Sequence, residues 1–385
     1  MRNVYVLGIG QTVFKKQPEL TPSRLGEIAV KRALEDVGPE FDPRLIQIAY
    51  AGHCEGPSQQ VQDILKFVGI AGIEMYNLEN ACASGGSAVH LLWRDIALGY
   101  KDIGIAIGVE SLTRSKLAGG VIPTTEGDID GLMGITMPGL FAINARRLME
   151  TRDISLEDLA YASIKNHRNA VMNPYAHYRK AITYEDIQNA RMISDPITVL
   201  HCCPQSDGAA AVILCTEEIA RKYTTKLVKI AASSCLSADY MSWDEDILAT
   251  KIVQNLSENV CTAAGVDPLT DIDLVEMHDA FSPEEVYMYE VLGICPPGET
   301  KKFIHDGCAE IGGKCAVNPS GGLQSLGHPL GASGVRVVCE ITSHLRGEAG
   351  ERQQPGAKVG MAQMIGGGLV TLGTPAVGFL SILTI

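Results

Sequence analysis

The sequence has no C-x-x-C pair, no apolar run long enough to span a bilayer, and little aromatic content: two tryptophans, and 5% aromatic residues in all. Neither the adjacent Cys202-Cys203 nor the Cys308/Cys315 pair has metal-ligand spacing, so no metal is expected on this chain. The N-terminus, Met1-Arg2-Asn3-Val4-Tyr5-Val6, reads as a strand and not as a signal peptide, and no membrane role is expected. Basic charge is scarce. The 32 Lys and Arg face 45 Asp and Glu, a net of −13 that argues against nucleic-acid binding. Eleven cysteines without paired spacing or an export signal point to a reducing, cytoplasmic location. What is present is a chain of 385 residues, 46% hydrophobic and 20% charged, enough for a large core. That length suits two domains, or one domain built twice.

One stretch organises the rest: Glu79-Asn80-Ala81-Cys82-Ala83-Ser84-Gly85-Gly86-Ser87-Ala88. An apolar-rich segment, Val89 to Leu98, follows it, and Gly99 closes that segment as a helix C′ residue would. Cys82 is therefore expected at or just before a helix N-terminus, where free N–H groups and the helix dipole favour a thiolate. The small neighbours let a substrate approach the backbone. Buried cysteines are more often inert packing, so Cys82 alone does not decide the matter.

The chain repeats its order of elements. Strand Val4–Gly8, helix Thr21–Leu34 with Thr21 as N-cap, strand Leu45–Ala51 after Asp42-Pro43, the Cys82 helix and the apolar strand Ile103–Val109 make up the first half. Asp63–Val68 reads as helix and Glu74–Leu78 as strand. In the second half Leu227–Ala232, Leu248–Ala264, Asp267-Pro268 with Ile272–Met277, Gly331–Leu345 and Lys358–Met364 follow in the same sequence. Any α/β protein alternates strands and helices, but the matched Asp-Pro pairs and the matched glycine stops at Gly99 and Gly347 favour duplication. The expected fold class is α/β with a largely parallel core sheet. The halves are expected at 1–111 with 201–225 and at 226–385, with an insert at 112–200. Open α/β sheets place sites beyond the carboxyl ends of their strands. Pseudo-symmetry would then bring Cys82 to face Gly327-His328-Pro329, because both precede matched helices.

The insert opens with a Gly- and Met-containing tract, Ala118–Phe141. Helices Phe141–Thr151 and Ser155–Asn173 follow, the latter with Ser155 and Asp158 as an imperfect capping box, and Thr183 with Asp186 marks another start. Between Arg146 and Arg191 there are eight Lys/Arg against six Asp/Glu, a local net of +2. Such a surface is usually just solvated. The functional alternative is a phosphate-binding patch, with Lys165, Arg168, Arg179 and Lys180 as its cations.

Three stretches carry the chemistry: Asn80 to Gly85 around Cys82; His278-Asp279-Ala280-Phe281 at the end of a strand; and Asn318-Pro319-Ser320-Gly321-Gly322 continuing to Gly327-His328-Pro329-Leu330-Gly331-Ala332-Ser333-Gly334. A lone histidine is usually structural, but two of the nine lie where they would face Cys82. Together these stretches resemble the thiolase superfamily over nearly the whole chain. The His278 motif and Cys202-Cys203-Pro204-Gln205-Ser206-Asp207-Gly208-Ala209-Ala210-Ala211 are similar to the branch of sterol-carrier-protein-type and archaeal thiolases.

The resemblance implies a five-layered α-β-α-β-α fold from two βαβαβαββ halves, with a loop domain inserted in the first. It implies a degradative thiolase that cleaves a 3-oxoacyl-CoA with free coenzyme A. Cys82 would carry the acyl group and His328 would take its proton; an ordinary thiol has a pKa of about 8.5 and needs such help. His278 and His328 would donate to the enolate oxygen, and the N–H groups of Cys82 and Gly366 would form a second oxyanion hole. Lys165, Arg168, Arg179, Lys180 and Ser320 are the expected coenzyme A contacts. The tract Ala118–Phe141 would form much of the acyl pocket.

The sequence departs from the family where a second cysteine is usual. The glycine-loop position is Met364, and the histidine-motif position is Ala280. Neither can move a proton, which suits thiolytic cleavage of a specialised substrate. Thiolases of this branch include one that splits 2-benzoylsuccinyl-CoA into benzoyl-CoA and succinyl-CoA. Alternatives are an acetyl-CoA C-acetyltransferase, a lipid-transfer or scaffold protein, and an acyl-CoA retro-aldolase, which would need no cysteine nucleophile. The resemblance further implies a homodimer paired through the Ile103–Val109 region, and a small partner subunit with a zinc ribbon and an OB-fold that would carry the only zinc.

Overall fold

A computed structural model describes residues 1–116, 118, 129–239, 246, 248, 250–367 and 375–385. Residues 119–128 of the expected acyl-pocket tract, and Gly368 of the C-terminal glycine run, lie outside the described residues.

The first half runs β1 (Val4–Gln11), α1 (Pro22–Val37), β2 (Ile48–Gly52), α2 (Gln60–Leu65), β3 (Glu74–Leu78), α3 (Ser84–Ala97) and β4 (Ile103–Ser111). The Thr21 side chain accepts from Arg24 N at 3.2 Å, so α1 begins where the sequence predicts. Strand β2 starts later than expected, because Asp42 caps a 3₁₀ turn over Pro43–Leu45. The insert holds α4 (Ile129–Leu132), α5 (Met137–Thr151), α6 (Leu156–Val171), α7 (Tyr184–Gln188) and the short hairpin β5 (Met192–Ser194) and β6 (Ile197–Thr198). Aspartate serves fully in the Ser155 capping box: Ser155 Oγ accepts Asp158 N at 3.1 Å, and Asp158 Oδ2 accepts Ser155 N at 2.8 Å. The chain returns through β7 (Asp207–Thr216) and α8 (Glu217–Tyr223).

The second half runs β8 (Val228–Ser237), α9 (Lys251–Ala264), β9 (Leu274–Glu276), α10 (Ser282–Val291), α11 (Thr300–His305), β10 (Ala316–Val317), α12 (Gly322–Leu326), α13 (Leu330–Leu345), β11 (Val359–Gly366) and β12 (Val377–Thr384). Its strands lie in the order β10-β9-β11-β12-β8, the first half's in the order β3-β2-β4-β7-β1. Each position in one has its counterpart in the other. A three-pair antiparallel ladder between Val4–Val6 and Val228–Ile230 joins them.

The sheet is mixed, not largely parallel. In each half the three outermost strands are parallel, but β7 and β12 return antiparallel beside β4 and β11. Strand β4 is also not an edge. It is paired with β2 on one side and β7 on the other, and β3 is the outer strand of its half. The apolar run of Ile103–Val109 thus reflects burial on every side.

Five layers result. Helix α1 covers one face of the first sheet, α9 covers the outer face of the second, and α3 and α13 lie between. Alternate strand residues serve the two faces: Tyr5, Leu7, Ile105 and Ile107 join the α1 core, while Val4, Val6 and Ala106 join the core around α3 and α13. The two central helices cross main chain to main chain. A Cβ on Gly85 would collide with Gly331 O, and one on Gly334 with Gly86 N. Among the described residues no helix is long and apolar enough to cross a membrane.

Candidate active site

Cys82 sits in the turn between β3 and α3, two residues before the helix starts. The turn is built by its own polar groups. Ser84 Oγ accepts Asn80 N at 2.8 Å and donates to Ala81 O at 2.6 Å, and Glu79 Oε1 accepts Ala81 N at 2.6 Å. Asn80 Nδ2 donates to Ser87 Oγ at 2.9 Å, tying the turn to the first turns of α3. Ala81 takes φ +47°, a left-handed conformation that costs a non-glycine residue about 1–3 kcal/mol and recurs at functional sites. The end of β11 closes against this turn: a Cβ on Gly366 would collide with Asn80 O and lie 2.9 Å from Cys82 N. Gly366 is therefore placed where only a bare main chain fits, beside the Cys82 amide.

His278 follows β9. Its backbone N–H donates to Gln363 Oε1 at 3.0 Å, and its Nδ1 lies 2.7 Å from Glu284 Oε1. Glu284 is in the first turn of α10, is fully buried, and also accepts Ala280 N at 3.1 Å. His328 lies between α12 and α13, with Nδ1 2.8 Å from Ser333 Oγ. Sγ of Cys82 and one ring nitrogen of each histidine fall within 4.8 Å of one another. Both Nε2 atoms are buried and have no hydrogen-bond partner among the described residues, so they are the ring atoms left for chemistry.

The two imidazoles are set to opposite protonation states. Burial works against a charge on His278, but the Glu284 carboxylate and then Cys82 outweigh it, and the ring is raised to about 10. Its Nε2 thus carries a proton at neutral pH and can donate. For His328, burial and then the charges of His278 and Arg336 push the ring well below the ordinary range. Ser333 Oγ also lies 3.0 Å from Pro329 O, which can only accept, so the hydroxyl proton goes there. Nδ1–H of His328 then donates to Ser333, and its Nε2 keeps a lone pair able to take a proton. Three such groups could also hold a metal ion. With Nε2 of His278 protonated, however, the set suits proton transfer better than ligation.

The expected coenzyme A residues divide. Lys165 is buried, and all three of its ammonium protons are used: by Val317 O at 2.5 Å, Asn166 Oδ1 at 2.6 Å and Glu285 Oε1 at 3.0 Å. Ser320 is buried too, donating to Glu276 Oε2 at 2.8 Å and accepting from Arg336. Both belong to the interior and face no phosphate. Arg168 is exposed and paired with Glu310. Arg179 and Lys180 are exposed, on a segment whose Tyr178 N–H donates to Ser325 O at 2.9 Å, just ahead of His328. Glu284 was not anticipated, and Ser333, though inside the His328 stretch, had no role assigned to it. The signal for Glu284 was a Ser-Pro-Glu-Glu helix start directly after the His278 motif, and Ser333 lies five residues past His328.

Residues 4–218 match the family described as thiolase N-terminal domain, and residues 233–376 match the thiolase C-terminal domain-like family. The chain is 37% identical to benzoylsuccinyl-CoA thiolase subunit BbsB of Thauera aromatica, over 95% of each chain. It is 39% identical to an acetyl-CoA acetyltransferase of Methanothermobacter thermautotrophicus, over 99% of this chain and 100% of that one. It is 34% identical to human sterol carrier protein 2, over 98% of this chain and 73% of that one. Among solved structures, the Ltp2-ChsH2(DUF35) aldolase shares the fold with a TM-score of 0.84 at 23% identity, covering 99% of this chain and 97% of that one. Human mitochondrial 3-ketoacyl-CoA thiolase does so with a TM-score of 0.75 at 20% identity, covering 100% and 98%. The duplicated halves, the Cys82 turn facing two histidines, and these matches lead to one conclusion: the chain belongs to the thiolase family.

Proposed function

We propose that this thiolase works in the degradative direction, splitting a 3-oxoacyl-CoA with coenzyme A through an acyl-enzyme on Cys82. The observation that carries this reading is the convergence of Cys82 with two histidines held in opposite protonation states. His328 Nε2 takes the Cys82 proton, and the thiolate attacks the 3-oxo carbon. Cleavage leaves the acyl group on sulfur and an enolate of the departing acyl-CoA. His278 Nε2–H donates to the enolate oxygen, and the amides of Cys82 and Gly366 serve the tetrahedral intermediate. The thiol of coenzyme A releases the second product. Arg179, Lys180 and Arg168 hold its phosphates.

The favoured substrate is 2-benzoylsuccinyl-CoA, giving benzoyl-CoA and succinyl-CoA. Similarity to the Thauera enzyme along almost its full length supports this. The similarity to an acetyl-CoA acetyltransferase favours acetoacetyl-CoA as the second reading. Incubation with each substrate and coenzyme A, followed by mass spectrometry of the CoA products, separates the two. Without coenzyme A the acyl mass should appear on the Cys82 peptide. Undiminished cleavage by Cys82→Ala would instead support a retro-aldolase, and no cleavage of either substrate would favour a scaffold or lipid carrier.

We read the chain as two halves, 1–111 with 201–225 and 226–385, around an insert at 112–200. We further propose a cytoplasmic homodimer that pairs through the outer strand β3. Its Tyr76 is half exposed, and β3 has a partner strand on one side only among the described residues. The description of the Thauera relative as a subunit supports an additional partner subunit, and we propose that it is small and carries a zinc ribbon and an OB-fold. Light scattering over a dilution series tests the dimer. A stable, active species of one 41.2 kDa chain would refute it.

A further inference from the structure

The reaction as read above assigns no group to one proton transfer. When the carbon–carbon bond breaks, the enolate carbon must be protonated, and neither Met364 nor Ala280 has an exchangeable side-chain proton. We propose that Cys203 is the acid that supplies it.

Cys202 forms an isolated antiparallel bridge with Phe281, and the next residue, Cys203, donates its N–H to Ala280 O at 2.9 Å. In antiparallel pairing, residues opposite each other share a face and successive residues alternate. Cys203 and Ala280 therefore share the face opposite to that of Cys202 and Phe281. Cys202 turns away accordingly, its Sγ 3.4 Å from Thr198 O, and Phe281 turns onto Phe141. The N–H of Ala280 is held by Glu284, the same carboxylate that holds His278. On its other side, Pro204 O accepts the N–H of His328 at 3.4 Å. Cys203 thus stands on a segment bonded to both histidine loops. The residue as a whole is half-buried, and its thiol is near enough to Cys82, Asp279 and Glu284 for their charges to act on it. Burial first, then Cys202 and Cys82, and then Asp279 and Glu284, push its ionisation upward. It stays protonated at neutral pH, as an acid and not a second nucleophile.

The step balances. The S–H bond of Cys203 breaks and a C–H bond forms at the enolate carbon, whose electron pair supplies the new bond as the thioester carbonyl re-forms. The Cys203 thiolate then takes the proton of the coenzyme A thiol. The coenzyme A thiolate attacks the acyl group, and Cys82 leaves as a thiolate and recovers its proton from His328.

The inference rests on the thiolase reading with acyl transfer to Cys82, and one experiment separates the two. Full-length wild-type protein is assayed for cleavage of acetoacetyl-CoA and 2-benzoylsuccinyl-CoA. No cleavage by wild type would remove that reading and the inference with it. If wild type cleaves, Cys203→Ala should lower the rate by about 10²-fold or more. Alkylation of Cys82 by iodoacetamide should be unchanged, because His328 still takes its proton. Adding Ala280→Cys to the Cys203→Ala variant should restore most of the lost rate, since it returns a thiol to the facing position. Wild-type cleavage by Cys203→Ala would overturn the inference alone and leave water or a histidine as the proton source. Slowed Cys82 alkylation in that variant, or no rescue by the second substitution, would overturn it by making Cys203 a packing residue.

Discussion

His278 and His328 meet edge to face, with ring centroids 5.1 Å apart and planes at 82°. Two imidazoles this close cannot both be charged without strong repulsion, and the protein resolves the conflict through their outer neighbours. A buried carboxylate, Glu284, fixes the charge on His278, whereas a neutral hydroxyl, Ser333, leaves His328 uncharged. One ring is then ready to donate and the other to accept.

This division predicts different failures for the two alanine variants. His328→Ala should slow iodoacetamide alkylation of Cys82 near neutral pH, because nothing takes the thiol proton. His278→Ala should leave alkylation near normal but lower turnover by about 10²–10³-fold, as for other lost oxyanion donors. Equal alkylation rates in both variants would show that the roles are reversed.

Glu284→Gln should move the pH profile. In wild type His278 is raised to about 10, so its donor form persists well above neutrality. Without the carboxylate, burial acts on the ring with much less opposition, and the alkaline limb of kcat should move toward acid. The sign for stability follows from a folded pKa above the ordinary 6.5. The pair's contribution is fully present below about pH 6.5 and is lost as pH rises through about 10. The difference in Tm between wild type and Glu284→Gln should therefore shrink with rising pH. A constant difference, with an unmoved kcat limb, would mean that His278 is neutral.

Gly366→Ala should damage chemistry more than folding. The added Cβ collides with Asn80 O and crowds the amides of Cys82 and Ala83. A displacement of the turn by about 1 Å is enough for a 10²-fold loss of kcat. Turnover measured beside Tm decides the point: an unaffected kcat would remove the Gly366 main chain from the site.

Lys165 and the exposed cations should separate cleanly. Lys165→Met leaves Glu285 buried without its cation and should cost about 3–5 kcal/mol in chemical denaturation. Arg179→Ala with Lys180→Ala should keep stability and raise KM for coenzyme A by about tenfold. A rise in KM from Lys165→Met in protein that is still folded would return that residue to the phosphate site.

Much of the fold was legible because both faces of each sheet are covered. The strands are therefore nearly continuous apolar runs, and the glycine stops after α3 and α13 are plain in the sequence. The direction of β7 and β12 was not legible, since an apolar run carries no sign of whether its neighbour is parallel. Ile103–Val109 is likewise ambiguous in the sequence, since its apolarity suits an internal strand as well as one covered by a partner, and the structure makes it internal. Lys165 misled because it lies on a helix face with Asn166 and Asn169 that reads as solvated but packs polar side against polar side in the interior. Cys82, His278 and His328 could be placed from the duplication, because each follows a strand or precedes a matched helix. Glu284 could not, because its partnership with His278 needs the turn into α10 to fold back on the strand end.

The crossing of α3 with α13 has a further meaning. Cys82 lies three residues ahead of Gly85, and His328 three residues ahead of Gly331, whose carbonyl Gly85 touches. The span between nucleophile and base is thereby gauged by the thickness of two peptide chains and not by any side chain. Substitutions in the surrounding walls can enlarge, narrow or reshape the acyl cavity while that gauge stays fixed. A chain built this way can change what it cleaves over evolutionary time without having to reset how it cleaves.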